Sequence, residues 1–240
     1  MFDRNHTAIV TGGNSGIGEA IVHLLANRGM NVVVAGRRQD KSEQLAKEVS
    51  ARYGTEAVPM QADVAREEDC RRLVDRTLDR FQSLHLLINN AGIGGRGKIA
   101  ELESDSFDRV MKTNLYSAFW CSKAAYRAML INDAPAGHEL RGGIINISSV
   151  CGVDAWAGVG AYCASKHGMM GLTRAMADEG SGDRIRVAAI CPAMVATPMT
   201  KVSGPEYIAP EDIAATVAYL LDLTSAAWPR EIVINRRGAD

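Results

Sequence analysis

TAIVTGGNSGIG, residues 7–18, decides the fold. Thr7 to Thr11 is short, apolar and partly β-branched, and reads as a buried strand. Gly12 to Gly18 is a glycine-rich turn, and from Glu19 to Arg28 apolar residues recur at helical spacing (Ile21, Leu24, Leu25). Strand, glycine turn and helix in that order give the context a dinucleotide-binding fingerprint needs. The glycines permit a tight turn and let the backbone approach a pyrophosphate. The helix N-terminus then offers that anion free N–H groups and the positive end of a dipole. The spacing is Gly12-x-x-x-Gly16-x-Gly18, with Asn14, Ser15 and Ile17 between the glycines, not the commoner G-x-G-x-x-G. An ordinary glycine turn is the competing reading, and the flanking strand and helix weigh against it.

Working outward, strand and helix patterns alternate. Strands are expected at Asn31–Ala35, Ala57–Ala62, Leu84–Asn89, Ile144–Ile147, Arg184–Ile190 and Glu231–Ile234. Helices are expected at Lys41–Tyr53, Glu67–Phe81, Ser106–Lys112, Leu115–Ile131, from Ala161 to about Gly180, and at Pro210–Leu221. Residues 132–143, with Pro135, Gly137, Gly142 and Gly143, read as a surface loop. Strand centres such as Val32-Val33-Val34 are apolar on both faces. That implies a mostly parallel sheet of about seven strands covered by helices on each side, an α/β doubly wound Rossmann domain. No linker, repeat or low-complexity tract divides the chain, so residues 1–240 are expected to form one domain, with a substrate loop at about 193–209.

Hydrophobic residues are 47% and charged residues 23% of the 240, an ordinary globular composition. The formal net charge of −1 gives no general attraction to nucleic acid or to an anionic membrane. Five scattered cysteines without C-x-x-C spacing argue for reduced thiols in a cytoplasmic protein, not a disulfide frame or a zinc site. The N-terminus runs straight into a strand with no signal peptide visible. The longest apolar segment, Leu115–Ile131, contains Lys123 and Arg127 and reads as a buried interface helix, not a membrane span.

A second informative stretch is GGIINISSVCGVDAWAGVGAYCASKHGMMG, residues 142–171. Ser149 stands at the mouth of a strand, where open α/β sheets bind ligands. Tyr162 and Lys166 are four apart and share a helix face. Serine, tyrosine and lysine there make a plausible acid–base site, although a Tyr-x-x-x-Lys pair is common by chance.

At the end of the second strand, where an acidic residue would hold the ribose hydroxyls of NAD, the sequence is Val34-Ala35-Gly36-Arg37-Arg38. Gly36 leaves room, and Arg37 and Arg38 match a 2′-phosphate. One or two charge-assisted bonds of about 1.5–3 kcal/mol each favour NADP(H) over NAD(H) by roughly ten- to a hundredfold or more. The competing reading is two solvated arginines opening a helix.

With these residues in view, the chain resembles the short-chain dehydrogenase/reductase family over nearly its whole length. The matching pieces, in order, are TGGNSGIG at 11–18, Asp63-Val64, Asn89-Asn90-Ala91-Gly92, Asn114, Ser149, Tyr162, Lys166, Pro192 and Thr197-Pro198-Met199. The resemblance implies an NADP(H)-dependent carbonyl reductase or secondary-alcohol dehydrogenase. Asp63 and Val64 would contact adenine, and Asn90, Ala91 and Gly92 would line the nicotinamide-side ribose. Asn89 would either join them or brace the sheet. Pro192, Val195 and Thr197 would hold the carboxamide and phosphates. Asn114, Ser149, Tyr162 and Lys166 would form the catalytic tetrad, with Ser148 turned into the sheet. In that scheme the Lys166 ammonium lowers the Tyr162 phenol from near 10 toward working pH, about 4 kcal/mol of differential stabilisation. Lys166 also bonds the ribose, Ser149 donates to the carbonyl oxygen, and Asn114 holds a water leading to solvent. No step calls for a metal.

Several features depart from the family or stay open. Ala193 follows Pro192 where glycine is usual. Only about ten residues separate Met199 from Pro210, which implies a short lid, an open pocket and tolerance of bulky substrates. The ending Asn235-Arg236-Arg237-Gly238 lacks the usual acidic-Gly-Gly, so the expected homo-oligomer is a dimer or a tetramer. Its main contact should lie on the helices Leu115–Ile131 and Ala161–Gly180. Cys151 and Cys163 read as structural, and Trp156 either packs on substrate or covers the core. A non-catalytic NADP-binding sensor or scaffold is the alternative from another class, and an epimerase or dehydratase needs more chain than is present. A 3-oxoacyl thioester is a substrate suggested by resemblance alone.

Overall fold

The computed structural model describes residues 6–132 and 139–238, together with Phe2 and Arg4. Seven strands, β1 (Thr7–Thr11), β2 (Asn31–Gly36), β3 (Ala57–Gln61), β4 (Leu86–Asn89), β5 (Gly142–Ile147), β6 (Ile185–Pro192) and β7 (Glu231–Ile234), form one sheet in the order β3-β2-β1-β4-β5-β6-β7. Every pairing is parallel. Seven α-helices connect them: α1 (Gly16–Asn27), α2 (Gln39–Tyr53), α3 (Glu67–Phe81), α4 (Ser104–Met111), α5 (Ser117–Leu130), α6 (Gly160–Asp183) and α7 (Pro210–Asp222).

Strand composition explains the layers. Side chains alternate across the sheet, so Val32 and Val34 face one side and Val33 the other. Val32 and Val34 pack with Ile21, Leu25 and Val49 of α1 and α2 and with Val217 and Leu220 of α7. Val33 packs with Leu73, Cys121, Ala125 and Met129 of α3 and α5 and with Met176 of α6. All three valines are fully buried, and each such side chain contributes about 1.5–3 kcal/mol relative to exposure. A sheet buried on both faces needs the unbroken apolar runs seen in the sequence.

Two expectations need correction. β5 begins at Gly142, not at Ile144 after a loop, and Gly142 pairs with Ile185. The reason is close helix packing: a Cβ on Gly142 would stand 2.4 Å from the Met129 sulfur of α5. Residues 133–138, including Pro135 and Gly137 of the expected loop, lie outside the described residues.

The two helices expected at Ser106–Lys112 and Leu115–Ile131 are in fact joined by a π-turn over Lys112–Tyr116, which carries α4 into α5 without a break. Thr113 and Asn114 are weak helix formers, so the sequence reads as a gap. The backbone instead widens by one residue there, as happens at many functional sites.

Candidate active site

The order of strands reverses between β1 and β4, and a cavity of about 590 Å³ opens there along the carboxyl ends of the strands. Its lining includes Gly12, Asn14, Ser15, Gly16, Ile17, Arg37, Arg38, Asp63, Val64, Asn90, Ala91 and Gly92 at one end and along the floor. Ser149, Tyr162, Lys166, Pro192, Val195 and Thr197 line the other end. Of the site residues expected from sequence, Gly18 and Asn114 alone stand behind the wall.

Gly18 has a packing reason. A Cβ there would sit 2.2 Å from the Gly12 carbonyl oxygen, so helix and turn could not close on each other. The turn is held from behind by Asn90, whose amide donates to the carbonyl oxygens of Thr11 and Gly12 at 3.0 and 3.1 Å. The Thr11 hydroxyl accepts from the N–H groups of Asn90 and Ala91 and donates to Ile88 O. Ser15 precedes α1 in an extended conformation and its side chain makes no cap bond. The first turn of α1 therefore presents uncapped N–H groups to the cavity.

The adenine-side wall differs in one respect from the sequence reading. Gly36 does not leave an empty space: a Cβ there would meet the Asn14 amide at 2.4 Å. That amide donates to Arg38 O at 3.1 Å and to the Ser42 hydroxyl at 2.9 Å, tying the glycine turn to the start of α2. Asn14 thus shapes the turn. The Arg37 and Arg38 side chains are exposed at the cavity edge, and neither forms an ion pair among the described residues. An uncapped helix N-terminus flanked by two available guanidinium groups is a donor set that fits a phosphate-bearing dinucleotide.

At the opposite end, Lys166 is buried and its ammonium donates to Ile147 O at 2.8 Å, 5.7 Å from the centre of the Tyr162 ring. Burial pulls Lys166 down to about 8. The Tyr162 phenol is pushed up to about 12, chiefly by burial and then by Cys151, while the neighbouring Ser149 hydroxyl works in the lowering direction. The expected fall of the phenol toward neutrality is thus not a property of the protein alone. Burial raises the phenol, and one of the three N–H groups of the Lys166 ammonium is engaged by the Ile147 carbonyl.

Ser149 accepts from Cys151 N at 3.1 Å and donates to Pro192 O over a long 3.4 Å, so its proton is loosely held. Ser148 is buried beside Cys191, yet it too is among the residues lining the cavity. Burial also raises the Cys151 thiol to about 11, which suits a structural cysteine better than a reactive one. Asn114, fully buried in the π-turn, is engaged by its side chain. It accepts from Ile93 N at 2.8 Å and donates to Ile93 O and to the Ser165 hydroxyl, each at 3.0 Å.

Three further residues matter here that the sequence reading did not select: Thr11, Ile93 and Ser165. Ser165 also donates to Tyr162 O at 2.8 Å, so one hydroxyl links the π-turn to the helix carrying Tyr162 and Lys166. A small polar residue on the buried side of α6 was its only signal. Asn89 braces the sheet, donating to Ser122 of α5 and to Asn146 of β5, each at 2.9 Å.

A family model described as short chain dehydrogenase matches residues 6–207. The chain belongs to the short chain dehydrogenase family. It is 33% identical over 232 residues to a 3-oxoacyl-[acyl-carrier-protein] reductase of Synechocystis sp., covering 92% of this chain and 91% of the relative. It is 37% identical over 207 residues to (+)-borneol dehydrogenase 2 of Salvia officinalis, covering 85% and 70%. Among solved structures it superposes, with a TM-score of 0.88 and 25% identity, on an alcohol dehydrogenase from the archaeon Thermococcus sibiricus complexed with 5-hydroxy-NADP. That match covers 98% of this chain and 97% of the other. The protein is accordingly a short-chain dehydrogenase, an oxidoreductase that uses a nicotinamide cofactor on a small-molecule carbonyl or alcohol. No helix among the described residues is long and apolar enough to cross a membrane.

Proposed function

We propose that this short-chain dehydrogenase interconverts a ketone or aldehyde and its alcohol with NADP(H), with Tyr162 as the proton donor and acceptor. In this reading the whole chain acts as one domain. The observation that carries it is the convergence of the Tyr162 phenol, the loosely held Ser149 hydroxyl and the buried Lys166 ammonium at one end of the cavity. The dinucleotide, when bound, supplies or accepts the hydride.

The residues of the chain handle the oxygen. Ser149 turns its proton from the Pro192 carbonyl to the substrate oxygen and stabilises the negative charge developing there. The phenol, protonated at neutral pH by its raised pKa, delivers its proton to that oxygen. An alkoxide is far more basic than this phenol, so the transfer runs downhill in the reducing direction. Lys166 stabilises the tyrosinate left behind, and its position is fixed by Ile147 O. Asn114 and Ser165 hold the π-turn against α6 and set where both groups stand. In this reading the π-turn at Asn114 holds the water that links Lys166 to solvent.

At the other end, the glycine turn from Gly12 to Ile17 and the start of α1 hold the pyrophosphate, with Gly18 and Asn14 shaping the turn. Arg37 and Arg38 take the 2′-phosphate and set the preference for NADP(H). Asp63 and Val64 border the adenine, Asn90, Ala91 and Gly92 the second ribose, and Pro192, Val195 and Thr197 the carboxamide. The subunits pair through the outer faces of α5 and α6, where Phe119, preceded by Tyr116 of the π-turn, is 45% exposed and nothing lies within 4 Å of a Cβ placed on Gly171. Its five free thiols fit a reducing compartment such as the cytoplasm.

The test is the absorbance change at 340 nm with NADPH or NADH and a panel of ketones and aldehydes. Consumption of NADPH at least about tenfold more efficient than of NADH supports the reading. Equal use of both would remove the arginines from it, and no consumption of either would remove the reaction.

A further inference from the structure

Three loop segments leave the carboxyl ends of β4, β5 and β6 on the Tyr162 side of the sheet edge, and each carries exposed apolar side chains. The first is the loop after β4. Gly97 N donates to Gly158 O at 2.9 Å, and Gly97 pairs with Val159, fastening this loop over the start of α6. Ile99 then lies against Gly160, where an added Cβ would come within 2.7 Å of its side chain, two residues before Tyr162. The second segment follows Ser149 and carries Val153 and Trp156. The third follows β6 and carries Met194 and Met199, the latter lining the cavity itself.

These five side chains are between 39% and 75% exposed, and they make up half of the ten large apolar residues that reach solvent among the described residues. Isolated exposed apolar residues need no explanation. A concentration of them on the three loops at this edge of the sheet is what a binding surface requires.

Charge on the same loops points the same way. Residues 193–200 contain no charged side chain, and residues 150–159 contain only Asp154. Asp154 is exposed and accepts from Ala155 N at 2.7 Å. Counted over these segments the charges give no positive excess: Arg96 and Lys98 stand against Glu101 and Glu103, Lys201 against Glu206, and Asp154 is alone on the loop after Ser149. The roof is also short. Residues 195–208 are closed at their base by the Val195–Ile208 bridge and by Ala196 N donating to Ile208 O. They contain no α-helix that would fold over the opening.

We infer that the substrates of this site are bulky, uncharged, apolar secondary alcohols and ketones, whose hydrocarbon body lies on Ile99, Val153, Trp156, Met194 and Met199 while the oxygen reaches Ser149 and Tyr162. This inference rests on the hydride-transfer reading above. Short polar ketones leave the apolar rim wet, and anionic 3-oxoacyl substrates bring their charge to loops with no positive excess.

The experiment is kcat/KM, followed at 340 nm with NADPH, for the 2-alkanones from butanone to decanone and for the corresponding 3-oxo-carboxylates and a 3-oxoacyl thioester of coenzyme A. Efficiency is expected to rise by about three- to fourfold for each methylene that lands on the rim. The carboxylates and the thioester should fall below the ketone of equal length, and Asp154→Asn should narrow that gap. Trp156→Ala and Met199→Ala should each lower the ratio of decanone to butanone efficiency at least severalfold, an internal ratio that loss of folded protein does not change. A flat chain-length series with good turnover, or a preference for the anionic members, overturns this inference and leaves the reaction class standing. No turnover of any member with NADPH or NADH overturns the reaction class and the inference together.

Discussion

The Lys166 ammonium is held by the carbonyl oxygen of Ile147, 2.8 Å away, at the end of the strand that leads into Ser149. No carboxylate pairs with it among the described residues. A buried ammonium satisfied by one neutral oxygen is costly, and burial accordingly lowers this lysine from 10.5 to about 8. The cost is fully present below about pH 8, where the folded chain carries the charge. It disappears as pH rises to the unfolded value near 10.5. Lys166→Met should abolish turnover and raise stability at pH 7 by about 1–2 kcal/mol, after allowing for the Ile147 oxygen left without its donor. The gain should vanish by about pH 10 and reverse above it, where only the Ile147 oxygen left without its donor counts. Urea unfolding of both proteins at pH 7 and pH 10 measures it, and a variant less stable at pH 7 would show that the ammonium stabilises the fold.

The same two groups set the pH dependence of the rates. With the phenol raised to about 12 and the lysine lowered to about 8, Tyr162 is protonated across the neutral range while Lys166 loses its charge as pH passes 8. Ketone reduction should therefore be flat from pH 6 to about 7.5 and decline above 8. Alcohol oxidation needs a proton acceptor and should instead rise with pH from neutrality. Initial rates in both directions across pH 6–10 check this, and a reduction rate that climbs with pH would contradict it.

Cofactor preference should follow Arg37 and Arg38. Replacing either by alanine is expected to cut the NADPH-to-NADH ratio of kcat/KM by about tenfold, and replacing both by about a hundredfold or more, on the basis of about 1.5–3 kcal/mol per charge-assisted bond. The effect should weaken in high salt because both side chains are exposed. A ratio unmoved by the double replacement would make them solvated surface residues.

Much of this architecture can be read from the chain. Val32-Val33-Val34 is apolar on both faces because the sheet has helices on both sides. The glycine turn shows because helix and turn would collide if Gly18 had a side chain. What escaped the sequence are features fixed by close tertiary contact. The π-turn at Asn114 looks like a helix break, because weak helix formers do not distinguish a gap from a widened turn. Gly142 looks like loop because the Met129 side chain that needs its space is distant in sequence. A Tyr-x-x-x-Lys spacing shows the neighbouring charge but not the burial that raises the Tyr162 phenol, nor the Ile147 carbonyl that takes one N–H of the ammonium.

Away from the cavity, His85 provides an acid-sensitive point. It is buried, its Nδ1 accepts from Thr7 N at 3.1 Å, and its ring meets His6 edge-on at 4.5 Å. Burial, with His6 adding to it, lowers His85 to about 4. A histidine that stays neutral in the fold but protonates at about 6.5 when unfolded contributes stability above 6.5 that is lost as pH falls toward 4. About 2 kcal/mol should go between pH 7 and pH 4.5. His85→Asn, whose carbonyl can still accept from Thr7, should flatten that part of the urea-midpoint profile. An unchanged slope would assign the acid sensitivity elsewhere.

The most direct measurement is Tyr162→Phe, which deletes one oxygen and keeps the ring. NADPH affinity, read by fluorescence titration, should stay within about threefold of the wild type, while ketone reduction under saturating NADPH should fall by about 10³-fold or more, the scale of lost acid–base and electrostatic assistance. Turnover retained to within tenfold would mean that another group delivers the proton, and the account of this site would be wrong.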